Sequence, residues 1–367
     1  MKKRLLLAAA SCLLTTAVLA VGGEIIMKAR WAAEIDAGVD AKREGWEWFQ
    51  IRSDNDVLMW ELRKNATIVG GDGIAHKTNG FGFRDREWSK DPGDEYRVAF
   101  VGDSVTEGYC VQEPQLFIRK LESMARVGLG MNVVAMNFGV NGYNAIQEAE
   151  LLKSRVTPHT PNLVVYVMHL NDFDLDDASG GQIAHFHRPA SFVWSWLTHR
   201  WSLLSNKVAQ RSLHVDYYHD YFSINRNVVF DAIRQMHAFL AARNIPFRVV
   251  ILPAMDSPPE TEYEVCMREA EKFQTPKNDC ATHAVNVKPA YVYPYADIAN
   301  AIGSFFAAEG VPFLDVSADW SARGVARAGL ACDPAHPNAR GHAELALDVE
   351  RFLHADLARA VRAMRQH

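Results

Sequence analysis

The chain has 367 residues, 49 % of them hydrophobic and 23 % charged, with 39 Lys and Arg against 44 Asp and Glu for a formal charge of −5. That composition excludes a disordered chain, a collagen-like repeat and a coiled coil, and a mean hydropathy of −0.14 excludes a polytopic membrane protein. With no basic excess to neutralise a phosphate backbone, nucleic acid is not an expected partner.

The first thirty residues depart from this average. Lys2, Lys3 and Arg4 precede an apolar run from Leu5 to Gly23, 19 residues long, close to the roughly 20 that a helix needs to cross a bilayer. The basic cluster is expected to stay cytoplasmic and to send the rest outward. Three readings are open: an uncleaved anchor, which accounts for the apolar Ile25, Ile26 and Met27 after Glu24 and is preferred; a signal peptide cleaved after small residues such as Val18 and Ala20, giving a secreted protein; and a buried cytoplasmic helix. The first two export the body to the periplasm or cell surface. Residues 31–95 have no strong period, but Trp46, Trp48, Phe49 and Trp60 point to an arm packed on the body, and residues 79–84 (Asn-Gly-Phe-Gly-Phe-Arg) read as a turn.

From residue 96 a rhythm begins. Apolar runs at 96–101, 133–138, 163–168, 247–252 and 311–316 alternate with helical patterns at 116–127, 145–156, 227–243, 295–309 and 338–364. Continuous apolar strands between amphipathic helices predict an α/β fold, a parallel sheet of about five strands covered on both faces. The organisation expected is a segment at 1–30, an arm at 31–95 and a body at 96–367. The body carries insertions at about 173–223 and 255–293, both after strand C-termini, where open α/β sheets build their crevices. The tryptophan-rich stretch at 192–204 in the first insertion suits core, lid or membrane contact.

Three strand ends carry residues that packing does not require: Gly102-Asp103-Ser104, the turn Asn137 to Gly142, and Asn171-Asp172. Parallel strands bring such ends together. A serine between strand and helix faces outward-pointing N–H groups that stabilise a developing anion, but it needs a base and the base an orienting group. Asp333 and His336, three apart before the last helix, supply that pair. Asp103 is expected to be structural, as is His342; His169 is expected near the pocket or packed at its strand end. His185, His187, His214 and His219 match no usual zinc spacing, so no metal and no cofactor are expected. Four cysteines remain outside the apolar run. They could pair as Cys266 with Cys280 and Cys110 with Cys332, or stay as buried thiols.

These segments resemble the SGNH hydrolases, the GDSL esterase/lipase family. Gly102-Asp103-Ser104-Val105-Thr106 is similar to the block that carries the nucleophile, Asn137 to Gly142 to the second block, His169-Leu170-Asn171-Asp172 to the third, and Asp333 to His336 to the fifth. The resemblance covers residue 96 to the C-terminus outside the insertions, and residues 79–84 with the apolar run resemble membrane-tethered, exported members. One departure is visible: where the family's third block begins with Gly, this chain has His169. The resemblance implies a three-layer α/β/α sandwich of flavodoxin-like type. It implies Ser104, His336 and Asp333 as catalytic residues, with an oxyanion hole from Ser104 N–H, Gly142 N–H and the Asn171 amide. The expected activity is hydrolysis of an O-acylated carbohydrate or lipidic ester. The alternatives are an acyltransferase acting on an exported polysaccharide and a non-catalytic binding protein on the same fold.

Overall fold

Each of the five apolar runs forms a strand of one parallel sheet. The computed structural model describes residues 2–40, 49–69, 73–175, 191–194, 217–252, 296–325, 329–332 and 335–364. Two compact units emerge, Met1–Arg63 with Asp176–Tyr217, and Lys64–Leu175 with Tyr218–His367.

In the first unit, helix α1 runs from Lys2 to Asp40, well past the apolar run. Strands β1 (Gln50–Arg52) and β2 (Trp60–Leu62) form an antiparallel hairpin. The Glu24 carboxylate accepts the N–H groups of Phe192 and Val193 and the Ser191 hydroxyl at 2.8, 3.0 and 2.9 Å. The Trp31 ring lies 5.6 Å from the Phe192 ring at a tilt of 57°, and the Arg52 guanidinium lies 4.7 Å from its centroid. Among the described residues no helix is long and apolar enough to cross a membrane; the side chains of residues 5–10, 12 and 13, eight of the 19 in the apolar run, lie outside that set.

The second unit opens with the short antiparallel pair β3 (Thr67–Val69) and β4 (Ala75–Lys77). The sheet follows: β5 (Tyr96–Gly102), β6 (Val133–Gly139), β7 (Leu163–Met168), β8 (Phe247–Ile251) and β9 (Phe313–Asp315), all parallel, in the order β6-β5-β7-β8-β9. Val98 and Phe100 face one side, with α3 (Phe117–Leu129), α7 (Val316–Arg323) and α8 (Ala339–Met364). Both long helices on that side carry one apolar stripe, Phe117, Ile118, Leu121 and Ala125 on α3 and Leu345, Ala346, Val349, Leu353 and Leu357 on α8, the spacing that a 3.6-residue repeat requires. The alternate residues Ala99, Val101, Val164, Tyr166 and Val249 are also fully buried, on the face that takes α4 (Ala145–Leu151), α5 (Tyr217–Ala241) and α6 (Ala296–Ala308). The result is the expected three-layer α/β/α sandwich. The strand order puts a switch of direction between β5 and β7, so a crevice opens at their C-terminal ends.

Three boundaries differ from expectation. Helix α5 begins near 217 rather than 227. Strand β9 stops at Asp315, because Asp315 caps α7 by accepting the Ala318 N–H at 3.0 Å. The helical pattern at 145–156 widens after Leu151 into a π-turn over Leu152–Val156.

Candidate active site

Strand β5 ends at Gly102, where a Cβ would collide with Thr106 Oγ1 and come within 2.7 Å of the Val167 carbonyl. Glycine therefore lets the chain fold straight back into the single-turn helix α2 (Ser104–Glu107). Asp103 caps this turn through Oδ1, which accepts the Val105 N–H at 2.9 Å, and Gly108 closes it in a left-handed conformation. Ser104 opens α2 and is 8 % exposed.

The Ser104 Oγ lies 2.8 Å from His336 Nε2, across 232 residues of sequence. If the serine hydroxyl donates to this nitrogen, the neutral imidazole carries its proton on Nδ1. The loop that presents His336 is fastened on several sides. The Cys332 N–H donates to the His336 carbonyl at 2.9 Å, and Asn338 N–H to the Leu330 carbonyl at 2.7 Å. The Asn338 side chain donates to the Gly329 and Ala331 carbonyls. A disulfide joins Cys332 to Cys110, which follows α2, and the Tyr109 ring centroid is 4.7 Å from that of His336. Asp333 lies outside the described residues, as do Cys266 and Cys280.

Asp103 is not placed as a base. Its Oδ2 is 3.5 Å from Ser104 Oγ, at the limit of a hydrogen bond, and accepts instead from Asn171 Nδ2 at 2.9 Å. Asn171 sits on a 3-10 turn, Leu170–Phe173, directly after β7. Its other end, Oδ1, is 2.6 Å from His169 Nδ1. The loop after β6 comes to the same edge because the Val140 N–H donates to the Gly102 carbonyl at 3.1 Å. Gly142 in that loop has φ 83, a left-handed conformation that glycine adopts without cost. The ends of β5, β6 and β7 thus bring Ser104, Gly142 and Asn171 to one edge of the sheet, with His336 on the serine.

Glu107, His76 and Glu148, which also lie around this edge, carry no motif signal. Glu107, fully buried, accepts the Asn141 N–H on Oε2 at 2.8 Å and lies 3.6 Å from His76 Nδ1 through Oε1. The buried Arg84 guanidinium donates to the carbonyls of Glu107 (3.2 Å), Ala75 (3.2 Å), Val111 (2.6 Å) and Gly108, binding the end of α2. Its one clue is the turn at 79–84, where the Asn79 side chain accepts the N–H groups of Phe81 and Phe83. Beneath Asp103 lie Asp172 and Glu148, both fully buried. Burial, with the neighbouring acidic groups, pushes both carboxyls well above the ordinary range. The Tyr166 hydroxyl donates to Asp172 Oδ2 at 2.6 Å, and burial holds that phenol protonated.

Among the described residues no group of three or more His, Cys, Asp or Glu could hold a metal ion. His185, His187 and His214 lie outside them, as does the His219 side chain.

The profile of the GDSL-like Lipase/Acylhydrolase family matches residues 100–344. Solved structures similar to the chain include the lipase/acylhydrolase from Enterococcus faecalis, at 14 % identity over 71 % of this chain and 96 % of that one with a TM-score of 0.39. A GDSL-like lipase from Bacteroides thetaiotaomicron shows 15 % identity over 73 % and 93 %, with a TM-score of 0.38. The psychrotrophic esterase EstA from Pseudoalteromonas shows 10 % identity over 71 % and 98 %, with a TM-score of 0.39. A search of the curated proteins finds no match.

Proposed function

Since this chain belongs to the GDSL-like lipase/acylhydrolase family and is a hydrolase of ester bonds, we propose that it works through Ser104, His336 and Asp333 on an acylated carbohydrate or a lipidic ester. The observation that carries this reading is the 2.8 Å approach of Ser104 Oγ to His336 Nε2. Ser104 Oγ attacks the ester carbonyl while His336 Nε2 takes its proton. Asp333 holds the imidazole Nδ1–H and stabilises the cation that forms. The Ser104 N–H, the Gly142 N–H and the Asn171 amide receive the charge on the tetrahedral oxygen. Collapse breaks the bond to the alkoxide, which leaves with the proton from His336. Water, activated by the same imidazole, then releases the acid and restores the serine.

The body is proposed to work outside the cytoplasm, tethered by α1. Two observations support this. Leu14, Val18, Leu19, Val21, Ile25 and Ile26 on α1 are each 62 to 70 % exposed, an apolar surface that lipid would cover. The Cys110–Cys332 disulfide suits an oxidising compartment.

A p-nitrophenyl ester series of increasing acyl length tests the assignment. Ser104→Ala and His336→Ala are each expected to lower kcat by about 10⁴ to 10⁶, and Asp333→Ala by somewhat less. Turnover unchanged in Ser104→Ala would remove Ser104 as the nucleophile.

A further inference from the structure

An amide side chain has a donor end and an acceptor end of nearly the same shape, so its neighbours decide which end meets the reacting centre. At Asn171 two neighbours decide it together. Nδ2 donates to Asp103 Oδ2 at 2.9 Å, and Oδ1 is 2.6 Å from His169 Nδ1. Turning the amide over would set an oxygen against a carboxylate oxygen and an NH₂ against an N–H. Both bonds would be lost in a site where each group is largely hidden from water.

We propose that His169 is a positioning residue for Asn171: its Nδ1–H donates to Oδ1 and holds the amide with its N–H groups on the side of Asp103, whose Oδ2 also adjoins the Ser104 hydroxyl at 3.5 Å. One N–H of Nδ2 goes to Asp103, and the second is left for a developing oxyanion. His169 can hold this geometry because it is itself fixed. It is 2 % exposed, it follows the fully buried strand β7, and its backbone N–H donates to Asp172 Oδ2 at 3.2 Å. A glycine here, as in the third block that this segment resembles, has no side chain to donate. This chain has thus built an amide clamp from the position at which it departs from that pattern. The inference rests on the reading of Ser104 and Asn171 given above for its kinetic consequence, but not for the hydrogen bond itself.

Two measurements test it. In ¹⁵N-labelled wild-type protein, long-range ¹H–¹⁵N spectra assigned by loss of the signal in His169→Asn are expected to show the His169 proton on Nδ1; a bare Nδ1 with the proton on Nε2 would overturn the proposal. In ester hydrolysis, His169→Leu is expected to lower kcat by about 10- to 100-fold with KM within about twofold, since an oxyanion donor acts mainly in the transition state. His169→Asn, whose δ-position amide can still donate, should recover most of that loss. In an Asn171→Ala background His169→Leu should cost nothing further, because the group it positions is gone. Equal activity of wild type and His169→Leu, equal losses in the Leu and Asn variants, or a full additional loss in the Asn171→Ala background would each overturn it. Loss of the functional reading is separable: activity that survives Ser104→Ala, or a wild type inactive on every ester, removes the esterase assignment and leaves the tautomer measurement to decide the clamp.

Discussion

Glu107 shows how one side chain can serve two parts of the site. It ends the single turn that begins with Ser104, and its Oε2 accepts the N–H of Asn141, one residue before Gly142. Serine helix and glycine loop are therefore joined through one carboxylate, and the backbones touch as well. A Cβ on Gly139 would collide with Glu107 N and Thr106 C. Glu107→Ala removes the carboxylate that accepts the Asn141 N–H in a partly buried setting, a loss of at most about 1–3 kcal/mol. Glu107→Gln keeps an oxygen in place. The expected outcome is a urea midpoint and a kcat close to wild type in the Gln variant, and a fall in both in the Ala variant. If both variants fall equally, the negative charge and not the hydrogen bond is what the site uses. Such a residue has no signature in the sequence. Ser104 is legible because it stands at a strand end in a known block; Glu107 and His76 matter only because packing brings separated segments together.

Among the elements, those that were legible were long and continuous. The strands at 96–101, 133–138 and 163–168 are visible because burial on both faces makes them apolar throughout except at the buried Arg97 and Asn137. The strands of β1 to β4 have three residues each, too few to show a period. Helix α7 has eight residues, and its cap Asp315 falls inside the apolar run at 311–316, so the strand pattern hides where the helix starts. The segments that finish the site, 329–332 and 335–338, are neither helix nor strand of the sandwich, and their link to α2 is covalent. The Cys110–Cys332 bond closes a sequence separation of 222 residues. In the chain-entropy account a loop of this size removes about 5 kcal/mol of freedom from the unfolded state. Cys332→Ala with Cys110→Ala, or reduction of the wild type, should lower the thermal midpoint. It should also lower kcat more than it raises KM, because the freed loop carries the proposed base and not a binding wall. Thermal melts and ester kinetics with and without reductant would check this. A loss of stability with kcat untouched would mean that the hydrogen bonds of Asn338 and Cys332 hold the loop by themselves.

Across the whole molecule, the last helix returns to the first helix of the sandwich through another histidine. His342 on α8 is fully buried, lies parallel to the Phe117 ring at 5.9 Å, and accepts the Phe117 N–H on Nδ1 at 3.3 Å. That nitrogen can accept only in the neutral ring. Burial, helped by the positive Arg84 nearby, lowers the His342 pKa to about 3. The folded value is therefore below the ordinary histidine value of about 6.5. Under pH 6.5 the unfolded chain gains a proton that the folded one refuses, so stability falls with pH at up to about 1.4 kcal/mol per unit until the folded pKa is reached. Glu148 and Asp172 act in the opposite sense. Their folded pKa values are raised, so above about pH 4 the unfolded carboxyls ionise while the buried ones keep their protons, and their contribution declines as pH rises. Between pH 4 and 6.5 the two effects offset each other in part, and replacing the histidine separates them. His342→Asn keeps an acceptor near the Phe117 N–H but cannot take up a proton. Compared by urea unfolding at pH 7.5 and 5.0, the wild type should lose about 2 kcal/mol more than the variant over that interval. Parallel falls in the two proteins would mean that His342 is not the group that couples the closure of α8 onto α3 to pH.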